Sequence, residues 1–135
     1  MDESTTEKII DWATVMNVCG YESLVETIIK SGLKDARQAL KLLAKAIKAA
    51  NSADVALYAH RLKGVGMTMG ATGLSEKAYR LECAGDEKDI ETAASLLGDV
   101  EDEFEKVTTF LSESDWIEAA RQQQENRQTE QLETK

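Results

Sequence analysis

Residues 90–111, IETAASLLGDVEDEFEKVTTFL, carry the most regular apolar pattern in the chain. Steps of three and four residues alternate without a break along this segment, through Ile90, Ala93, Leu97, Val100, Phe104, Val107 and Leu111. This spacing places the apolar side chains on one face of an α-helix and is typical of a helix packing almost antiparallel against neighbours in a bundle. We therefore predict a bundle helix here.

A long helical pattern precedes it between residues 25 and 50, with apolar or small residues again three and four positions apart. Ser31 and Gly32 form a weak point, so this region is predicted to be either one long helix or two collinear ones. Ser52 can then cap a second helix that ends near Gly70.

A third predicted helix follows the second at once. Its apolar stripe runs through Ala71, Leu74, Ala78 and Leu81, and it is predicted to stop at Gly85. Asp86 is the predicted N-cap of the last helix, with Asp89 in its first turn.

These four segments predict an all-α fold, an antiparallel four-helix bundle with short connections. The predicted domain organisation is an N-terminal segment at 1–8, the bundle at 9–112 and a polar tail rich in Gln and Glu at 113–135. Residues 9–12 are predicted to form a short lid helix whose Trp12 covers one end of the core.

Composition limits the function classes. The chain has 135 residues, no proline and a net charge of −9, so one acidic helical domain is expected and nucleic acid is a poor partner. The acidic N-terminus and the lack of a long apolar run predict a cytoplasmic protein with no membrane association. One histidine and two separated cysteines do not make a usual metal-ligand set, so no metal site is expected.

The single histidine, His60, is predicted to face outward. With Leu62 at the centre of the buried face of the second helix, His60 lies about 160° away around the helix. An exposed imidazole can act as a nucleophile or remain an ordinary surface residue.

The surroundings of His60 are unusual for a helix surface, because small or apolar residues lie where charged ones are common. Gly64 leaves room for another backbone beside the imidazole, and Lys63 can reach anionic oxygens held at the ring nitrogen. We predict a docking surface here, formed by Ala56, Leu57, Met67 and Ala71.

The pattern His-x-x-Lys-Gly, at His60, Lys63 and Gly64, resembles the signature of histidine-containing phosphotransfer (HPt) domains, which lies on the second helix of a four-helix bundle. The wider similarity covers about residues 9–112 and includes Ala59, Leu62, Gly70, Leu74, Leu81 and Glu82, with residues 10–12 upstream. The tail has no counterpart in this pattern.

The resemblance implies that His60 accepts a phosphoryl group from the aspartyl phosphate of one receiver domain and passes it to an aspartate of another. It implies that Glu82, or a neighbour on the third helix, hydrogen-bonds the imidazole. Response-regulator receivers and a hybrid sensor histidine kinase are the implied partners of a monomeric carrier. The carrier would have no cofactor of its own, since the receiver brings Mg²⁺.

Two other function classes remain open. An all-helical interaction module would use the same apolar face without phosphotransfer. The dimerisation and phosphoacceptor domain of a histidine kinase normally has an acidic residue after its histidine, whereas this chain has Arg61 and no ATP-binding domain. We therefore expect no autophosphorylation from ATP.

A row of basic residues on the first helix has two readings, as an ordinary solvated face or as an attraction for an acidic receiver surface. It consists of Lys34, Arg37, Lys41, Lys45 and Lys48.

Overall fold

Four α-helices packed as a bundle form the structure, a computed structural model that describes residues 9–11 and 22–113. The helices are α1 (Glu22–Lys48), α2 (Ser52–Met69), α3 (Thr72–Asp86) and α4 (Ile90–Glu113). Each helix packs on its neighbour in the chain, and α1 also contacts α4. The connections are short, so successive helices run antiparallel. The predicted all-helical bundle is confirmed.

The segment before the bundle is described only at residues 9–11, which form a bend rather than a helical turn. Ile10 is buried in the core, and the N–H of Asp11 donates to the carbonyl of Gly70 at 2.7 Å. These contacts attach the segment to the end of α2. Trp12 and the tail from residue 114 lie outside the described residues, so the lid helix and the tail stay predictions.

Helix α1 is continuous, so the single long helix is confirmed over the alternative of two collinear helices, and the chain does not break at Ser31 and Gly32. Gly32 is buried, and a Cβ placed there would lie 2.6 Å from both Cγ and Sδ of Met69. The missing side chain at Gly32 therefore makes room for a methionine of α2 and does not interrupt the helix.

The ends of α2 are set by side-chain and backbone hydrogen bonds. Asn51, rather than the predicted Ser52, is the N-cap, and its side-chain oxygen accepts the N–H of Asp54 at 3.1 Å. At the other end Gly70 has a φ of 72°, the left-handed conformation that glycine adopts without steric cost. The predicted end of α2 near Gly70 is confirmed.

The predicted stop of α3 at Gly85 is wrong, because the helix continues to Asp86. Gly85 is buried, and a Cβ there would lie 2.6 Å from the backbone nitrogen of Ala56, so this glycine serves close packing between α2 and α3. The chain turns instead at Lys88, whose φ is 60°.

Asp89, rather than the predicted Asp86, caps α4. Its two carboxylate oxygens accept the N–H of Thr92 at 3.1 Å and the Thr92 hydroxyl at 2.6 Å. Because Lys88 supplies the turn, the residue after it occupies the capping position.

The core is formed by the apolar faces that the sequence periodicity predicts. Its fully buried members include Leu43, Val55, Leu62, Leu74, Leu81, Val100 and Val107. Burial of Leu62 sets the rotation of α2 and directs the opposite face of that helix toward solvent. Within the described residues, no helix has an apolar stretch long enough to cross a membrane.

Candidate functional site

His60 lies near the middle of α2 and faces outward, as predicted. The side chain is 64% exposed, whereas Ala59 and Leu62 beside it are fully buried. The bundle therefore holds this imidazole on a rigid helix while leaving the ring accessible to another molecule.

A residue of helix α3 contacts the Nδ1 edge of the imidazole. Nδ1 of His60 lies 3.0 Å from Oε2 of Glu82. A carboxylate can only accept a hydrogen bond, so Nδ1 carries the proton in this contact and the neutral ring keeps its lone pair on Nε2. The contact implied for Glu82 by the sequence resemblance is present in the structure.

The ammonium of Lys63 contacts the other oxygen of the same carboxylate. Nζ of Lys63 lies 2.9 Å from Oε1 of Glu82, and it also lies 5.2 Å from the centre of the Tyr79 ring. Oε1 is buried and makes no hydrogen bond of good geometry, so the contact with Lys63 is an ion pair. In the structure Lys63 thus contacts Glu82. The sequence predicts instead that Lys63 reaches the anionic oxygens of a group held at the ring nitrogen of His60.

Electrostatics favour an ionised pair. Burial alone would raise the pKa of Glu82, but the contacts with Lys63 and then with His60 outweigh burial and lower that pKa below its ordinary value. The contact with Glu82 raises the pKa of Lys63, against a smaller opposing effect of desolvation. Glu82 is therefore a carboxylate, able to accept from Nδ1, at neutral pH.

Gly64 borders open space one turn after His60. A Cβ placed at Gly64 would have no atom within 4 Å, apart from the backbone of its own helix and its chain neighbours, so packing inside the protein does not require a glycine here. Gly64, His60 and Arg61 line one side of a groove of about 470 Å³ between α1 and α2. The missing side chain widens the approach to the imidazole.

The predicted docking residues fall into two groups. Leu57 and Met67 are exposed large apolar side chains, as predicted. Ala56 is half-buried, because α3 passes close to it at Gly85.

Ala71 is fully buried, so its predicted place on the outer face is wrong. The left-handed turn at Gly70 ends α2, and the rotation of that helix cannot be continued to residue 71. Ala71 instead precedes α3, where its carbonyl accepts the N–H of Ser75 at 3.0 Å.

Tyr79 is a residue of this site that the sequence pattern did not single out. It is on α3, one turn before Glu82, and its side chain is exposed. A large aromatic residue off the apolar stripe of α3 was the available signal, but only the packing of α3 on α2 places its ring at Lys63.

Comparison with known proteins identifies the kind of domain. A family model described as Hpt domain matches residues 28–128, a range that continues past residue 112, the bundle boundary predicted from the sequence. No curated protein sequence matches this chain significantly.

A solved structure has a similar fold. The crystal structure of histidine-containing phosphotransfer protein B from Pseudomonas aeruginosa PAO1 superposes with a TM-score of 0.65 at 24% sequence identity. The similarity covers 87% of this chain and 98% of that one. At this level of identity the similarity supports the bundle architecture alone.

Proposed function

This chain belongs to the Hpt domain family, and we propose that His60 is the residue that carries the phosphoryl group. Hpt domains are histidine phosphotransfer modules of phosphorelays that work with receiver domains, and they are phosphoryl carriers rather than kinases. The observation that carries the assignment is the exposed imidazole whose Nδ1 lies 3.0 Å from Glu82, which leaves Nε2 as the ring nitrogen available to attack.

In the first half of the reaction, the Nε2 lone pair of His60 attacks the phosphorus of a receiver aspartyl phosphate in line with the bond that breaks. The N–P bond forms, the P–O bond to aspartate breaks, and the aspartate leaves as a carboxylate. Mg²⁺ bound by the receiver would neutralise charge on the transferring oxygens. The ring becomes positively charged as Nε2 is phosphorylated, and Glu82 stabilises that charge through Nδ1–H.

In the second half, the carboxylate of a second receiver attacks the same phosphorus and the N–P bond breaks, which restores neutral His60. A hybrid sensor kinase that carries a receiver is the proposed donor, and a response regulator is the proposed acceptor. This carrier has no need of ATP, because the phosphoryl donor in the first step is an aspartyl phosphate.

Docking of the receiver is proposed over the outer face of α2. Leu57 and Met67 present apolar surface on either side of His60 along the helix. Gly64 leaves space between them for the backbone of the partner.

The test is transfer of label from a phosphorylated receiver to the full chain. We expect acid-labile, base-stable label on the wild-type protein and none on His60→Gln, because this is the only histidine in the chain. Glu101→Gln, an exposed change on α4, serves as the folded control and should be labelled like the wild type.

Two results would contradict the proposal. Label that persists on His60→Gln would show that another residue accepts the phosphoryl group. Stable binding to receivers without any label would instead favour the interaction module.

A further inference from the structure

Tyr79 is a large exposed side chain that the proposed reaction does not use. We propose that Tyr79 is a positioning residue whose ring holds the Lys63 ammonium against Glu82, so that Glu82 keeps the imidazole proton on Nδ1 of His60. This inference rests on the proposed role of His60 and adds a residue to the group that prepares it.

The geometry of Tyr79 indicates a function outside the core. The residue is 53% exposed, so its ring contributes little to the packed interior. The Lys63 ammonium lies 5.2 Å from the ring centre, within the range of a cation–π interaction. The ring therefore attracts the ammonium and limits the positions that the lysine can adopt.

Lys63 needs such a restraint because its long side chain can adopt many conformations. Lys63 also forms an ion pair with Glu82. The Oε1 atom of that carboxylate makes no hydrogen bond of good geometry to any described residue. A single ion pair at 2.9 Å brings the two charges together, but it leaves the long stem of the lysine free to adopt several conformations. The Tyr79 ring supplies a second contact that keeps the ammonium near this oxygen.

Glu82 in turn depends on Lys63. Its side chain is only 18% exposed, and the Lys63 ammonium compensates the charge on its buried oxygen. If the ammonium moves away, the buried carboxylate loses that compensation and becomes easier to protonate or to rotate. Either change removes the acceptor that holds Nδ1–H of His60.

The consequence at His60 concerns which nitrogen can attack. With Glu82 in place, the proton stays on Nδ1 and the lone pair on Nε2. Without that acceptor the proton is free to move to Nε2, and the outward nitrogen can no longer attack phosphorus. Tyr79 would thus act on the tautomer of an imidazole that it does not need to touch.

A hydrogen bond with Cys83, one turn further along α3, raises the pKa of Tyr79 above its ordinary value. The phenol therefore stays neutral, and its ring keeps the negative face that attracts a cation.

The experiment measures the His60 tautomer by 15N NMR on the full chain at alkaline pH. His60 is the only histidine, so its ring signals need no separate assignment. Tyr79→Leu should lower the ratio of Nδ1–H to Nε2–H forms by about two- to fivefold, the size expected for an exposed cation–π contact. Tyr79→Phe keeps the ring and should retain the wild-type ratio.

Tyr58→Leu is the matched control. The Tyr58 ring lies 5.5 Å from the Arg61 guanidinium on α2. The hydrogen-bond and ion-pair partners of Glu82 among the described residues are His60 and Lys63. This variant loses a similar cation–π pair and should keep the wild-type ratio. Lys63→Met removes the ammonium itself, so it should shift the ratio in the same direction as Tyr79→Leu and at least as far. Adding Tyr79→Leu to Lys63→Met should cause no further shift.

A wild-type ratio in Tyr79→Leu would overturn the inference. So would slower phosphoryl acceptance at an unchanged ratio, which would assign Tyr79 to direct contact with the receiver. A further shift in the double variant would overturn the route through Lys63. If the ratios change as expected but the wild type accepts no label from any receiver, the proposed function fails and the positioning of the imidazole by Tyr79 stands.

Discussion

Gly64 shows how one residue can separate stability from function. A glycine inside a helix lowers stability relative to alanine, and the open space around Gly64 gives the fold no reason to keep one. Its place one turn from His60 gives a functional reason, because a partner must bring a phosphorylated carboxylate up to the ring. We therefore expect that glycine at position 64 lowers the stability of the helix but gives the partner access to His60.

Gly64→Ala is predicted to stabilise the protein by about 1 kcal/mol while slowing phosphoryl acceptance about tenfold, because a methyl group meets the incoming receiver. Thermal unfolding and the transfer rate measure the two effects. Gly98→Ala is the matched control, since Gly98 is also helical, exposed and open, and it should gain the same stability with no change in rate. Equal rates for Gly64→Ala and wild type would exclude the access role.

At the scale of the elements, the approach of α2 to α3 builds the site. Glu82 is on α3 and reaches His60 on α2 because the two helices lie close together, and Gly85 allows this closeness. The two nearest atoms that a Cβ at Gly85 would meet are the backbone nitrogen and Cα of Ala56, which cannot move without shifting the whole helix.

Gly85→Ala is therefore predicted to destabilise the bundle by about 1–3 kcal/mol, the range for overpacking a well-packed interior. Urea unfolding would measure the loss. Gly98→Ala again serves as the reference, because it adds the same methyl group without a clash and should change stability in the opposite direction. Stabilisation by Gly85→Ala would show that the two helices separate easily.

The turn between α3 and α4 places a non-glycine residue in the left-handed conformation. Lys88 has a φ of 60°, a region that L-amino acids other than glycine enter at a steric cost. The N–H of Lys88 donates to the carbonyl of Gly85 at 3.0 Å, and the N–H of Asp89 donates to that of Ala84 at 2.9 Å. These hydrogen bonds to the last carbonyls of α3 offset the steric cost at Lys88.

Lys88→Gly is predicted to stabilise the protein by about 0.5–1 kcal/mol, because the steric cost disappears while both hydrogen bonds remain. Lys41→Gly, at an exposed position inside α1, should lose about 1 kcal/mol in the same unfolding assay. Opposite changes in stability for Lys88→Gly and Lys41→Gly would distinguish relief of the strained turn from the general effect of a glycine. A loss of stability in Lys88→Gly would contradict the strained turn.

At the scale of the whole molecule, the ionisation of Glu82 makes the stability of the fold depend on pH. Net charge is −9, and the lowered pKa of Glu82 makes its ionised form more stable in the folded chain. The unfolded chain therefore binds a proton at Glu82 more readily than the folded chain does. This contribution is complete above the ordinary pKa of 4.5 and is lost as the pH falls through the lower folded value.

Glu82→Gln is accordingly predicted to flatten the acid side of the stability profile. The free energy of unfolding of this variant should fall less than that of the wild type between about pH 6 and pH 3. Urea unfolding at several pH values measures both curves. Glu101→Gln removes one exposed acid on α4 and should leave a curve parallel to the wild type, whereas a parallel curve for Glu82→Gln would refute the linkage.

The sequence by itself determined the helices, their apolar faces and the outward rotation of His60. These properties depend on a period of about 3.6 residues within one segment, so local spacing is enough to read them. The Hpt signature at His60, Lys63 and Gly64 lies within a single helix and could be read in the same way.

Only the tertiary structure decided how the helices meet. It placed Glu82 between His60 and Lys63, brought the Tyr79 ring over the ammonium, and buried Ala71 beyond the turn at Gly70. The glycines taken as a weak point and a stop proved to be places of close packing. Such contacts depend on the axial register between helices, and the periodicity of one helix contains no information on that register.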